Sequence, residues 1–99
     1  MFKKKPFIIA EIASAHDGNY KSAKKIADQA LKNGADAIKF QIFDCGKLIS
    51  KKNPLFKKFK KLEISKLKWL KVLKSFKRDT FLIAETFDIE SLKFAKNLN

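Results

Sequence analysis

Four residues in this sequence sit where chemistry is expected and where burial alone would not put them. Glu11, Lys39 and Glu85 each interrupt a short apolar run near its C-terminal end, and Gln41 follows two residues after Lys39. If the runs are strands, Lys39 and Gln41 point to one face, because side chains alternate along a strand. An isolated charge taken out of water costs several kcal/mol, on the order of the desolvation of one ion, so each needs a partner or a ligand. A carboxylate, an ammonium and an amide brought together suit an anionic, hydroxyl-rich substrate. The structural alternative is a Glu–Lys ion pair that only joins neighbouring strands. A second candidate is the loop Ser14-Ala15-His16-Asp17-Gly18-Asn19, which follows the first run and holds the single histidine. His16 either touches substrate or organises its own loop by hydrogen bonding. Without a second histidine nearby it makes a poor metal site.

These residues need strands to carry them. Phe7 to Ala13, Ala35 to Phe43 and Thr80 to Phe87 are nearly continuous apolar runs, the pattern of parallel strands covered on both faces. Helical periodicity lies between them. From Asn19 to Asn33, the residues Ala23, Ile26, Ala27, Ala30 and Leu31 form one apolar stripe, and Gly34 stands where a left-handed cap is wanted. A second helix is predicted over Lys66 to Lys77, with Ser65 as N-cap and Ile64 and Trp69 as the apolar pair around it. A third starts after Asp88, with Phe87 and Leu92 as the corresponding pair, and runs through Ala95 and Leu98. Between Asp44 and Ile64, Pro54 interrupts a longer connection expected to hold one short helical turn.

The order βαβαβα predicts a parallel sheet with right-handed crossovers. The first strand is not followed by the G-x-G-x-x-G dinucleotide fingerprint, which favours a barrel over a doubly wound sheet. A (β/α)8 barrel uses eight such units and about 250 residues. The 99 residues therefore read as one partial barrel domain, its first three units, with no second domain. A bare inner sheet face is expected, and the chain is expected to be a piece of a longer protein or the product of a truncated reading frame.

Composition narrows the partners. The formal net charge is +13, from 23 basic and 10 acidic residues. Such a surplus raises nucleic-acid binding as an alternative function. Against it, Arg78 is the one arginine, and the lysines are spread along the chain; the densest group, Lys51, Lys52, Lys57, Lys58, Lys60 and Lys61, reads as a solvated loop and helix face. A milder consequence is the steering of anionic substrates. No apolar run approaches the roughly 20 residues that span a bilayer. Glu11 ends the first apolar stretch too early for a secretory signal, so no membrane association and a cytoplasmic location are expected. The single Cys45 excludes an intrachain disulfide and is read as an inert, buried thiol.

Pro6-Phe7-Ile8-Ile9-Ala10-Glu11-Ile12, then His16-Asp17-Gly18, then Gly34-Ala35-Asp36-Ala37-Ile38-Lys39-Phe40-Gln41, resembles the opening of the N-acetylneuraminate (sialic acid) synthase family. That family shows an A-E-I strand, an N-H-x-G loop, a G-A-D-A-V-K-F-Q strand and an S-T-P-F-D strand end. The stretch Leu62-Glu63-Ile64-Ser65 with Trp69 is also similar, and the likeness covers nearly the whole chain. It implies a carbon–carbon bond-forming reaction between phosphoenolpyruvate and the aldehyde of an open-chain amino sugar such as N-acetylmannosamine. It further implies a divalent metal, Mn or Mg, that polarises the aldehyde, with ligands on strands outside this chain. A homodimer completed by an antifreeze-like domain is implied as well. On this resemblance the candidate catalytic residues are Glu11 and Lys39: Lys39 contacts phosphoenolpyruvate, while Glu11 and Gln41 bind the sugar. His16 and Glu85 complete the candidate substrate-binding set.

Two positions depart from the family pattern. Ala15-His16 stands where the loop has Asn-His, and Glu85 replaces a threonine that helps hold phosphoenolpyruvate. A carboxylate there repels an anionic substrate unless Lys39 or a metal pairs with it. The departure points to a branch with another sugar or aldehyde acceptor. Another anion-binding parallel barrel, an aldolase or a 3-deoxy-sugar-acid synthase, stands as a further alternative. The isolated chain, with no metal ligands of its own and no closed barrel, is expected to have no turnover.

Overall fold

A computed structural model of the chain describes residues 4–98. The first residues of the basic start, 1–3, and the final Asn99 lie outside the described residues. The elements follow the order β1 (Ile9–Glu11), α1 (Tyr20–Lys32), β2 (Ala37–Ile42), α2 (Cys45–Leu48), α3 (Phe56–Leu62), α4 (Lys66–Lys74), β3 (Phe81–Thr86) and α5 (Ile89–Lys96). The three strands form one all-parallel sheet in the order β1-β2-β3. This is the arrangement of three consecutive units of a (β/α)8 barrel.

Each strand is shorter than its apolar run. Pairing ends where the chain turns into a helix cap, so Ala13, Phe43 and Phe87 fall in loops. The helix starts are fixed by side chains: Asn19, Ser65 and Asp88 accept from the backbone N–H of Ser22, Lys68 and Ser91. At the end of α1, Gly34 (φ 104°) lets its own N–H reach Leu31 O at 3.3 Å and that of Ala35 reach Ala30 O at 3.0 Å. That is the left-handed cap predicted from Gly34. The second predicted helix stops early, at Lys74, because the Ser75 hydroxyl donates to Val72 O at 2.5 Å. Phe76 nevertheless still packs against the core.

The connection between β2 and α4 departs most from expectation. It holds two helices, α2 and α3, on either side of a turn through Pro54, rather than one turn. The pairing expected of Phe87 with Leu92 is not made in a buried setting: both side chains are exposed. The corresponding residues at α4, Ile64 and Trp69, are buried in the core.

The core lies on the helix side of the sheet. Ile38, Phe40 and Ile42 of β2 are fully buried there, with Ala23 and Ala27 of α1 and Trp69 and Val72 of α4. Full burial of each large apolar side chain contributes about 1.5–3 kcal/mol. The alternate residues of β2, Lys39 and Gln41, therefore point to the opposite face. Among the described residues no helix packs on that face, and Phe7, Ile9 and Phe81 are exposed. Phe7 and Phe81 meet edge to face at 5.6 Å.

Candidate functional site

The register of the sheet decides which polar residues meet. Glu11 pairs with Lys39, Lys39 with Ile83, and Gln41 with Glu85. In a parallel sheet, paired residues share a face, so Glu11, Lys39, Gln41 and Glu85 occupy two adjacent rows at the C-terminal strand ends. Lys39 Nζ donates to Glu11 Oε1 at 2.9 Å and lies 3.7 Å from Glu85 Oε1. Gln41 Nε2 donates to the same Glu85 oxygen at 3.2 Å. The hydrogen bond to Glu11 holds the Lys39 ammonium above its ordinary pKa, against some desolvation, with Glu85 adding to the rise.

The ion-pair alternative is thus present in the same geometry, but it is not a closed structural pair. The side chains remain 26% (Lys39), 64% (Glu11) and 38% (Glu85) exposed. Exposed pairs of this kind add little to stability. They remain accessible to a ligand that can exchange places with one partner.

The loop after β1 is tightly built. Ala15, Asp17 and Asn19 donate to the carbonyls of Ile12, Ser14 and His16 at 2.9–3.1 Å. Ala13 (φ 48°) and Asp17 (φ 52°) take left-handed conformations that cost non-glycine residues on the order of 1–3 kcal/mol each. Gly18 (φ 80°) lies so close to α3 that a Cβ would stand 1.8 Å from the Lys61 carbonyl oxygen. His16 is buried, in an edge-to-face contact with Trp69 at a centroid distance of 5.9 Å. Its Nδ1 accepts from the Gly18 N–H at 2.8 Å. Burial lowers its pKa, only partly offset by Asp17. His16 therefore organises the loop and stands outside the Lys39 cluster.

A cleft of about 240 Å³ joins the loop to the cluster. It is lined by Ala13, Ser14, His16, Gln41, Phe43, Lys58, Phe59 and Leu62. Gln41 belongs to both. Ser14 belongs to the candidate loop, whereas Phe59 carries no signal in the sequence and Lys58 stands there only within a basic group read as a solvated face: it is one of four lysines in the seven residues of α3. Larger hollows, of about 540 and 710 Å³, are lined by none of Glu11, Lys39, Gln41 or Glu85. They surround the α4–β3 connection, at the other end of the strands.

Asp88 ties the loops after β2 and β3 together. It accepts from Asp44 N and Ser91 N, both at 2.8 Å, and from Ser91 Oγ at 2.9 Å. Burial pushes its carboxyl pKa up, but these hydrogen bonds and Lys66 more than reverse that, and the net shift is downward. Cys45 is buried, its thiol pKa pushed up by burial, and Sγ lies 3.7 Å from Phe56 O. Among the described residues no group of three or more His, Cys, Asp or Glu could hold a metal ion. Among them, too, no helix is long and apolar enough to cross a membrane.

No protein-family model matches the chain. Among curated proteins it is 46% identical over 59 residues to the uncharacterized protein MJ1065 of Methanocaldococcus jannaschii, covering 60% of this chain and 18% of that one. It is 43% identical over 51 residues to the spore coat polysaccharide biosynthesis protein SpsE of Bacillus subtilis, covering 52% and 14% respectively. With the N,N'-diacetyllegionaminic acid synthase of Legionella pneumophila it shares 33% identity over 91 residues, 89% of this chain and 26% of that enzyme. The fold superposes with a TM-score of 0.83 on an N-acetylneuraminic acid synthetase from Leptospira borgpetersenii, solved in complex with citrate. That match has 29% identity and covers 94% of this chain and 33% of the other. The chain thus spans about a quarter or less of the curated relatives it matches.

Proposed function

We propose, for a chain of the sialic acid synthase-like family corresponding to the N-terminal part of its barrel, that it supplies one side of a site joining phosphoenolpyruvate to an N-acetylated amino sugar. The product is a nonulosonic acid. The observation that carries this reading is the convergence of Glu11, Lys39, Gln41 and Glu85 at the C-terminal end of a parallel sheet. Active sites of (β/α)8 enzymes lie at that end.

In this reading Lys39 is the cation that meets the phosphoenolpyruvate anion, as a compact point charge can. Glu11 and Gln41 hold sugar hydroxyl and amide groups and so orient the aldehyde carbon toward C3 of phosphoenolpyruvate. Holding two reactants in line removes much of the entropic barrier of a bimolecular step. Glu85, the departure from the family pattern, has its charge offset by Lys39 and by the Gln41 amide. Substrate that takes Lys39 from it leaves Gln41 as its partner.

A divalent cation, Mn or Mg, would supply Lewis acidity at the aldehyde oxygen when bound. In this proposal its ligands lie on strands outside this chain, since the two carboxylates of the cluster are engaged by one ammonium. A cytoplasmic homodimer belongs to the same proposal.

A chimera provides the test: this chain in place of the matched segment of the Legionella enzyme, assayed for sugar-dependent phosphate release from phosphoenolpyruvate. The expected result is activity with an N-acetylated amino sugar that falls about 10²–10³-fold in Lys39→Met, the scale of losing one charged transition-state contact. The 99-residue chain alone is expected to show none. A folded chimera that releases no phosphate, or that is indifferent to Lys39→Met, overturns the reading.

A further inference from the structure

Charge is unevenly divided between the Lys39 cluster and the cleft beside it. The Lys39 ammonium stands 2.9 Å from the carboxylate of Glu11 and 3.7 Å from that of Glu85. Those three groups leave a formal charge of minus one, so a substrate with more than one anionic group needs positive charge beyond that of Lys39. The neighbouring cleft has the opposite character. Its polar lining consists of Ser14, His16, Gln41 and Lys58, and none of its lining residues is a carboxylate.

The His16 side chain can be assigned a direction of donation. Its Nδ1 accepts from the Gly18 N–H, so in the neutral ring the proton is on Nε2, and the nitrogen left for another partner is a donor. The ring is neutral near pH 7 because burial lowers its pKa. Lys58 can only donate, Ser14 can donate, and Gln41 brings an amide that spans both halves of the site. Phe43 and Phe59, edge to face at 6.5 Å, and Leu62 and Ala13 form the apolar part of the wall. A small concavity bounded by donors, one full positive charge and apolar walls complements an oxyanion.

We infer that Lys58, on α3, with Ser14 and His16, forms an oxyanion seat for the phosphate or carboxylate group of the substrate, beside the Lys39 cluster and joined to it by Gln41. This rests on the synthase reading for the substrate, though not for the seat itself. It assigns a binding role to one lysine of the basic cluster and none to the others. Gly18 supports it: the absence of a Cβ there lets α3 close onto the loop after β1, and the cleft lined by Lys58, Ser14 and His16 lies between those two segments.

The 99-residue chain itself is the sample for the test, titrated with inorganic phosphate, and separately with acetate, at constant ionic strength and followed by amide and side-chain NMR. Saturable shifts on the order of millimolar affinity are expected at Ser14, the Gln41 side-chain amide, His16 and Lys58. They should be lost in Lys58→Ala and in Lys58→Gln and be kept in Lys51→Ala. Lys58 is exposed, so none of these changes threatens the fold. Saturation by phosphate alone assigns a phosphoryl group, and saturation by both assigns a general oxyanion; either supports the seat. Unsaturable shifts spread over Lys51, Lys52, Lys57 and Lys61, or saturation that survives in both Lys58 variants, overturn it. An active chimera with a silent cleft sinks this inference alone. An inactive chimera with a saturable cleft sinks the synthase reading alone.

Discussion

At the scale of the residue, the surroundings of His16 constrain its protonation. Its Nδ1 must stay unprotonated to accept from Gly18, and burial lowers its pKa below 6.5. The unfolded chain, with an ordinary histidine, takes up a proton first as pH falls. Stability therefore holds above pH about 6.5 and declines below it, until pH reaches the lowered folded value. Urea denaturation followed by Trp69 fluorescence should give a lower midpoint at pH 5.5 than at pH 7.5. His16→Asn, whose side-chain oxygen can accept from Gly18 without titrating, should remove most of that difference. An unchanged slope in His16→Asn would assign the pH dependence to another group. Lys39 does not contribute in this range: its pKa is raised, so its pairing is complete below pH 10.5 and is lost only as pH rises through the higher folded value.

Elements here are positioned by glycines used for two different reasons. Gly34 (φ 104°) closes α1 and has nothing within 4 Å of where a Cβ would stand. Gly18 has a positive φ and also meets the backbone of α3. Alanine at Gly34 should cost about 1 kcal/mol, the penalty of left-handed backbone alone. At Gly18 it should cost more, on the order of 3 kcal/mol, because the Lys61 carbonyl cannot rotate away as a flexible side chain could. Denaturation midpoints of the two variants measure the difference. Equal midpoints would mean that α3 gives way easily and does not hold the loop after β1. Amide shifts in α3 should move in Gly18→Ala and stay fixed in Gly34→Ala.

For the whole molecule, the uneven treatment of the two sheet faces has a measurable consequence. The helix face is closed by Ile38, Phe40, Ile42 and Trp69, whereas Phe7 and Phe81 are 58% and 56% exposed on the other. Contiguous exposed apolar surface binds other apolar surface. The isolated chain should bind an apolar fluorescent dye or self-associate in light scattering, despite its net charge of +13. The double variant Phe7→Ser, Phe81→Thr should reduce both. A monomeric wild-type chain that binds no dye would show that this face is covered in solution by other means. The charge acts at longer range and is screened beyond about 8–10 Å at physiological salt.

The amino-acid sequence alone established the alternation of strands and helices, the parallel sheet, the caps at Gly34, Ser65 and Asp88, and the exceptional placing of Glu11, Lys39, Gln41 and Glu85. These are local signals: apolar periodicity, cap chemistry and charge within an apolar run all lie within a few residues of one another. Tertiary structure decided the rest. The register that puts Lys39 between Glu11 and Glu85 spans separations of 28 and 46 residues and is set by how the strands pair. The turn of His16 onto Trp69, the approach of Gly18 to Lys61, and the choice of Lys58 among its lysine neighbours depend on where α3 comes to rest. That position is fixed by contacts between distant segments, which leave no repeating trace along the chain.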